Sequence, residues 1–226
     1  MLRTTLLALA ISTLAIGGAA AEKTFNGITI DDGGKTASFT QRPGAYVAPI
    51  KHDKNSIAIY DNLGHKYPNS LYFCCLGWTV SGPDSILHAT NWIAVPFTPA
   101  TDIWVTEMDA AVELGAGTSE IDIGIFADDN NLPGKLIRKI AVTGLPPVSG
   151  CCGLAVAKDR KGIPVKGGQQ YWMAVMTDKN ATDTFAIWVE NTTDEISAGQ
   201  LAGNDGTGWQ LGLLLIPHLA YAIYGK

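Results

Sequence analysis

The feature that most constrains this chain is an alternation of side-chain types with a period of two. The clearest stretch covers residues 108–114, where the apolar positions are Met108, Ala110, Val112 and Leu114. The positions between them are Asp109, Ala111 and Glu113. Successive side chains of a β-strand point to opposite faces, so this pattern predicts a half-buried strand with Asp109 and Glu113 on the solvated side.

The strand begins with a change of phase. Ile103 and Val105 are apolar but do not fall in register with Met108. One extra residue near Glu107, forming a β-bulge, would bring both parts onto the same face.

Further alternating stripes follow along the chain, separated by turn-forming residues. They are Ile121, Ile123 and Ile125; Tyr171, Met173 and Val175; and Phe185, Ile187 and Val189. No amphipathic helical pattern occurs after residue 21. The sequence therefore predicts an all-β, antiparallel two-sheet sandwich of jelly-roll type over residues 56–226. Trp172 and Trp188 add bulk to the other strand faces, which loops or a ligand would cover.

The first 21 residues have the three parts of a secretory signal peptide. Arg3 precedes an apolar stretch over residues 6–16, and the small residues Ala19, Ala20 and Ala21 follow. That stretch is shorter than the roughly 20 residues a membrane-spanning helix needs. We expect a protein secreted or released into the periplasm. Its net charge of −5, without a basic cluster, argues against nucleic acid or an anionic membrane as partner.

Residues 22–55 form a polar, glycine-rich arm with weak packing in this interpretation. Ile28 and Ile30 alternate before the turn residues 31–34, which predicts one hairpin. The alternative is that the strand of this arm adds to the edge of a neighbouring sheet.

The four cysteines form two adjacent pairs, Cys74-Cys75 and Cys151-Cys152. An exported chain favours structural disulfides, and neither pair has the spacing of a zinc site. Links between the pairs need less distortion, because neighbouring strand residues point apart. Gly150 and Gly153 flank the second pair and would also accommodate a bond between adjacent cysteines, so the connectivity stays open.

Asp128, Asp129 and Asn130 are the densest group of oxygen ligands in the sequence. Ca²⁺ prefers such oxygens, but the segment does not match an EF-hand loop. Residues 128–134 also have the composition of a plain turn. We expect no cofactor, with calcium at this turn as the alternative.

Aromatic side chains near amides are the candidate ligand contacts. Flat indole faces suit sugar rings, and the candidates beside polar residues are Trp92, Trp188, Asn191 and Trp209. Most aromatic residues in a sandwich belong to its core, so only a cluster on one face would support binding.

No catalytic motif stands out: the four histidines are dispersed, and there is no G-x-S-x-G or H-E-x-x-H segment. Carboxylates such as Glu107 and Asp122 cannot be paired from sequence alone. We therefore predict a non-enzymatic binding or adhesion module for polysaccharide or a surface protein. The alternatives are a matrix component that assembles by strand addition and a glycoside or ester hydrolase with a dispersed site.

Several short segments in a fixed order give the chain a family resemblance. They are Trp92 through Thr98, Asp128 through Leu136, Leu145-Pro146 with Gly150-Cys151-Cys152, Gly168 with Tyr171-Trp172, Trp188 with Asn191, and Ala222 through Gly225. Over Ile57 to Gly225 the chain resembles bacterial exported choice-of-anchor domain proteins, closest to the type R variety. The resemblance implies an exported β-sandwich of poorly defined biochemical role, often carried with a surface-sorting signal. The chain ends at Lys226 without an apolar anchor, which favours release over attachment.

Overall fold

A computed structural model describes residues 22–31, 33–40, 52–64, 71–72, 75–148, 153–191, 201–212 and 218–226. The predicted signal peptide and Cys74, Cys151 and Cys152 lie outside these ranges. The secondary structure within them is β-strand, which confirms the predicted all-β class. There is no helix in these ranges long and apolar enough to cross a membrane.

Sixteen strands are present in the described residues. The first eight are β1 (Lys23–Phe25), β2 (Ile28–Ile30), β3 (Thr36–Phe39), β4 (Ile57–Asp61), β5 (Leu76–Ser81), β6 (Trp92–Phe97), β7 (Ile103–Ala110) and β8 (Val112–Ala116). The others are β9 (Glu120–Asp128), β10 (Pro133–Thr143), β11 (Ala155–Val165), β12 (Tyr171–Met176), β13 (Phe185–Val189), β14 (Leu201–Asn204), β15 (Trp209–Gly212) and β16 (Tyr221–Gly225).

The strands form three antiparallel sheets arranged as a sandwich. Sheet A has the order β1-β2-β3-β5-β13-β8, sheet B the order β11-β7-β16-β4, and sheet C the order β10-β9-β12-β6-β14-β15. Ala111 links β7 to β8, so sheets A and B together make the layer that faces sheet C. The hydroxyl of Tyr221 in sheet B donates to the carbonyl oxygen of Pro96 in sheet C at 3.0 Å, which spans the two layers.

The main core lies between these layers and follows the predicted stripes of residues 121–125 and 171–175. The stripe of Phe185, Ile187 and Val189 faces the second core instead, and Trp188 faces the main core, which is the reverse of the prediction. Its fully buried members include Ile121, Ile123, Ile125, Met173 and Val175 from sheet C. Met108, Ala110, Val112, Trp188 and Ile223 meet them from the other layer. The inward stripe of residues 108–114 is therefore correct.

The predicted bulge is also present. Gly225 pairs with Val105, whereas the preceding Tyr224 pairs with Glu107, so β7 contains one extra residue at this point. That residue is Thr106, and it puts Val105 and Met108 on the same inward face, as a bulge does.

A second apolar core covers the other face of sheet A and reaches sheet B. Ile28, Ile30 and Phe39 from the N-terminal arm are buried there against Phe185 and Ile187. Strand β3 pairs with β5 of the same chain. The described part of the arm over residues 22–40 therefore packs into the fold, in contrast to the expected weak packing, because its alternating isoleucines are buried in the second core.

The second core overturns one prediction. Asp109 and Glu113 were expected on a solvated face, but their exposed fractions are 0% and 1%. The face they occupy is covered by the N-terminal arm and by Tyr72, whose hydroxyl donates to Glu113 at 2.7 Å.

Candidate functional site

Two of the predicted tryptophans come together on the outer face of sheet C. Asn204 pairs with Trp92 on one side and Trp209 on the other. Trp209 packs edge-on against Phe126, with 5.6 Å between ring centroids, over the fully buried Trp172. The indole N–H of Trp92 donates to Thr177 at 3.0 Å. These rings close a small third core and leave only their edges partly exposed.

The other two predicted contacts belong to the interior. Trp188 is fully buried, and its indole N–H donates to the carbonyl oxygen of Ala220 at 3.0 Å. Asn191 has an exposed fraction of 2%. Both residues are buried in the structure, and their contact with a ligand stays a prediction that this burial does not favour.

The segment 128–131 forms a hydrogen-bonded turn. Asp128 accepts hydrogen bonds from Trp172 at 2.7 Å, Gln170 at 2.8 Å and the backbone N–H of Asn131 at 3.2 Å. Asp129 accepts one from the amide of Asn130 at 2.9 Å. Because these carboxylates already bind protein donors, the geometry is that of a turn, and it favours that interpretation over calcium binding.

Of the cysteines only Cys75 lies among the described residues, and it is not a free cysteine. It sits directly before β5 with a positive φ of 108°. The connectivity of the four cysteines stays a prediction.

Three adjoining hollows form what we call the edge trough, along the side of the sandwich where β1–β3 approach the β14–β15 hairpin. The first, of about 320 Å³, is lined in part by Phe25, Ile30 and Leu87. It shares Ile30 and Leu87 with a second hollow of about 150 Å³. The second shares Lys35 and Asn91 with a third of about 210 Å³. Their shared walls make them one elongated depression.

The third hollow is lined by apolar side chains, which include the indole of Trp78, and by polar side chains. Its apolar lining includes Trp78, Ile93, Leu201 and Leu211. Its polar lining is Lys35, Asn91, Asp205 and Gln210. Within the described part of the chain the buried indole nitrogen of Trp78 has no hydrogen-bond partner, and such an unsatisfied group costs about 1–3 kcal/mol.

A hydrogen-bonded turn positions Lys35 in the polar lining of the third hollow. The Asp31 carboxylate accepts the backbone N–H groups of Lys35 at 2.6 Å and Thr36 at 3.0 Å. Gly34 has a φ of +66°, which lets the chain reverse between them. Asn91 then accepts from the Lys35 ammonium at 3.4 Å and donates to the carbonyl oxygen of Thr79 at 2.6 Å. The side chains of Lys35 and Asn91 are thereby held where two hollows meet.

A separate group of charged side chains lies on the outer face of sheet B. Glu107 is directly opposite Tyr224 on one side and Lys158 on the other. Asp109 pairs with Ala222 in the neighbouring strand β16, and Ala222 pairs in turn with Asp61 in β4. Directly paired strand residues point to the same face, so these side chains share one surface. With His52 they make up what we call the His52 cluster.

Short contacts hold the His52 cluster together. His52 Nδ1 lies 3.0 Å from Glu107 Oε1 and 3.9 Å from Asp109 Oδ2. Lys158 Nζ lies 3.1 Å from the other Glu107 oxygen, Oε2. The imidazole also packs on the ring of Tyr224, with 4.1 Å between centroids.

Asp109 is the unusual member of the cluster. It is fully buried, and neither of its carboxylate oxygens has a hydrogen-bond partner among the residues that the structure describes. Burial, with the nearby Glu107 as a smaller cause, raises the pKa of Asp109 to about 8. Burial also raises the pKa of Tyr224, whose hydroxyl donates to Asp61 at 2.8 Å. Perturbed carboxylates of this kind concentrate at functional sites.

The sequence pattern indicates only some of the residues of the His52 cluster and of the edge trough. Glu107 and Asp109 are two residues apart in a strand, which places them on one face, but their burial depends on the second core. Asp122, considered with Glu107 as a carboxylate pair, lies on sheet C instead. Trp78 and Lys35 are separated by 43 positions, and no local pattern joins them.

No protein-family model matches the chain, and no curated protein matches it significantly. The resemblance to choice-of-anchor domain proteins therefore stays a prediction.

Proposed function

We propose that this chain is an exported, non-enzymatic binding module that holds a neutral polysaccharide in the edge trough. The observation that carries the proposal is the trough's shape and lining: an elongated depression whose third hollow is lined by Trp78 together with Lys35, Asn91 and Gln210. Ligand sites usually combine an apolar surface with a few fixed polar groups.

The charges of the trough favour an uncharged ligand. Its lining contains Lys23 and Lys35 but also Asp31 and Asp205, so the two signs balance. A sugar chain offers apolar ring faces to an indole and hydroxyl groups that both donate and accept hydrogen bonds. The indole N–H of Trp78 is itself buried, so the proposed contact with a sugar is through the part of the ring that lines the hollow.

Export is supported by the signal-peptide pattern of residues 1–21 and by a Cys75 that is not free. Structural disulfides suit an oxidising compartment outside the cytoplasm.

Affinity electrophoresis through gels containing dextran, laminarin or hydroxyethyl cellulose tests the proposal. We expect at least one of these neutral polymers to retard the protein. Replacing Gln210 and Leu211 by alanine together should weaken that retardation about tenfold or more, since both are exposed on β15 and line the third hollow.

The matched control is W104A. Trp104 is 51% exposed and lies on β7, and it does not line the edge trough. Its removal should leave retardation unchanged. The proposal is wrong if none of the three polymers retards the protein or if the β15 double variant binds as well as the unmodified chain.

The His52 cluster favours a second function, hydrolysis. A histidine at hydrogen-bond distance from a buried carboxylate is the arrangement that general acid–base catalysis uses. Turnover of chromogenic esters or glycosides that is lost in Glu107→Gln would support it, whereas no turnover would exclude it for those substrates.

A further inference from the structure

We propose that the His52 cluster binds one divalent transition-metal ion through His52 Nδ1, Glu107 Oε1 and Asp109 Oδ2. This inference is independent of the edge trough, which lies along β1–β3 and the β14–β15 hairpin. It concerns the outer face of sheet B alone.

The spacing of the three atoms suits a single ion. They all lie within 4.8 Å of one another, and the two distances from His52 Nδ1 are 3.0 and 3.9 Å. Ligand atoms about 2.0–2.2 Å from a tetrahedral Zn²⁺ are about 3.3–3.6 Å apart, which lies between these two distances. Small side-chain adjustments would therefore complete the coordination.

The second observation is the state of Asp109. Both of its oxygens lack a hydrogen-bond partner although the side chain is fully buried. A buried carboxylate normally has a paired charge, several donors or a metal ion. His52 Nδ1, at 3.9 Å, is too far to donate a hydrogen bond. A cation between these atoms would supply the missing partner.

The surrounding residues orient the ligands in the way that metal sites require. Lys158 binds Glu107 Oε2, which leaves Oε1 directed to His52. Tyr224 packs against the imidazole and donates its hydroxyl proton to Asp61. Such outer contacts fix the orientation of coordinating side chains.

The ligand types select the class of ion. An imidazole with two carboxylates suits Zn²⁺, Mn²⁺ or Fe²⁺, whereas Ca²⁺ and Mg²⁺ prefer sites made of oxygen alone. Three protein ligands leave a coordination position for water or another molecule. The His52 side chain is 31% exposed, so an ion can reach the site from solvent at this point.

Thermal unfolding of the mature chain, after removal of bound metal by a chelator, tests the site with Zn²⁺ as the probe. At free Zn²⁺ about 100-fold above the Kd, the unfolding midpoint should rise by roughly 5–10 °C. Isothermal titration should give one ion per chain. His52→Ala and Asp109→Asn should each abolish the shift and the titration signal.

The matched control is Asp122→Asn. Asp122 is a buried carboxylate of sheet C that pairs with Lys139. This variant should keep both the Zn²⁺ shift and the stoichiometry. Because His52 is partly exposed and the Asp109 substitution preserves volume, both site variants should still unfold cooperatively.

Three results would overturn the proposal. They are no Zn²⁺ shift in the unmodified protein, a shift that survives in either site variant, and a shift lost in the Asp122 control. A carboxyl pair that merely shares a proton would give the first of these.

Discussion

Asp122 and Asp109 are two buried carboxylates on the outer faces of opposite layers, and they differ in their partners. Asp122 pairs with the ammonium group of Lys139, which also lies 3.6 Å from Asp178. Asp109 has Glu107 as its charged neighbour and no donor for either oxygen. The first is a completed ion pair on sheet C. The second is a buried carboxyl group to which no N–H or hydroxyl group of the described residues donates.

The aromatic residues on the outer face of sheet C extend the contrast. Trp172 is fully buried, and its indole N–H is satisfied by Asp128. The outer face of sheet C is thus covered and internally satisfied, although the sequence indicated its tryptophans as ligand contacts. The outer face of sheet B and the edge trough retain unpartnered polar atoms at Asp109 and Trp78. Unsatisfied polar groups therefore locate the candidate sites better than tryptophan content does.

Trp172 on the outer face of sheet C is expected to contribute most to stability. Trp172→Ala should lower the free energy of unfolding by about 3–5 kcal/mol, because it leaves a large cavity and removes a donor to Asp128. Urea denaturation measures the change. Trp104→Ala, at a half-exposed position, should change stability by less than about 1 kcal/mol. Equal losses in the two variants would contradict the assignment of Trp172 to a core.

A third buried carboxyl, Glu190, tests what burial does without a second carboxylate. Burial raises its pKa from 4.5 to about 7. The unfolded chain therefore releases this proton at lower pH than the folded one, and stability falls as pH rises from about 4.5 to about 7. Between pH 4 and pH 8 the stability of the unmodified protein relative to Glu190→Gln should fall by about 2–3 kcal/mol. Urea denaturation of both proteins across this range measures it, and parallel curves would contradict the prediction.

The ion pair of sheet C gives a smaller effect. Asp122→Asn should destabilise the protein by about 1–2 kcal/mol, because Lys139 loses its main partner. The value is limited by the exposure of Lys139, whose side chain is 43% accessible. In a double-mutant cycle with Lys139→Met, the two changes should not add, and additivity would show that the pair does not interact.

The sequence was sufficient for the main core but insufficient for the sites. Alternation with period two predicted the inward stripe of Met108, Ala110 and Val112 and also the bulge before it, since both depend on local geometry. It could not predict that the opposite face of β7 and β8 is buried. The contacts that the structure shows are with Tyr72, 41 residues from Glu113 in sequence, and with His52, 57 residues from Asp109. The environments of Asp109 and Glu113 are consequently tertiary properties.

The edge trough also depends on residues that are distant from one another in sequence. The turn residues Asp31 to Gly34 were recognisable, and they do position Lys35. The partners that make a site of it, Trp78 and Asn91, come from β5 and the residue before β6, and Gln210 comes from β15. Only the order of strands in sheets A and C brings these elements together.

At Asp109 we expect a small change in the free energy of unfolding, with a sign opposite to that at Asp122. At pH 9, above the raised pKa of Asp109, and in the presence of a chelator, Asp109→Asn should stabilise the protein by about 1 kcal/mol, the opposite of the same change at Asp122. The amide removes a buried charge beside Glu107 and can donate a hydrogen bond to it. Asp102→Asn, at an exposed carboxylate paired with Lys166, is the control and should leave the stability unchanged, because solvent screens this pair. Destabilisation by Asp109→Asn under these conditions would mean that its carboxylate already has a partner within the chain, and the contrast between the two faces would then disappear.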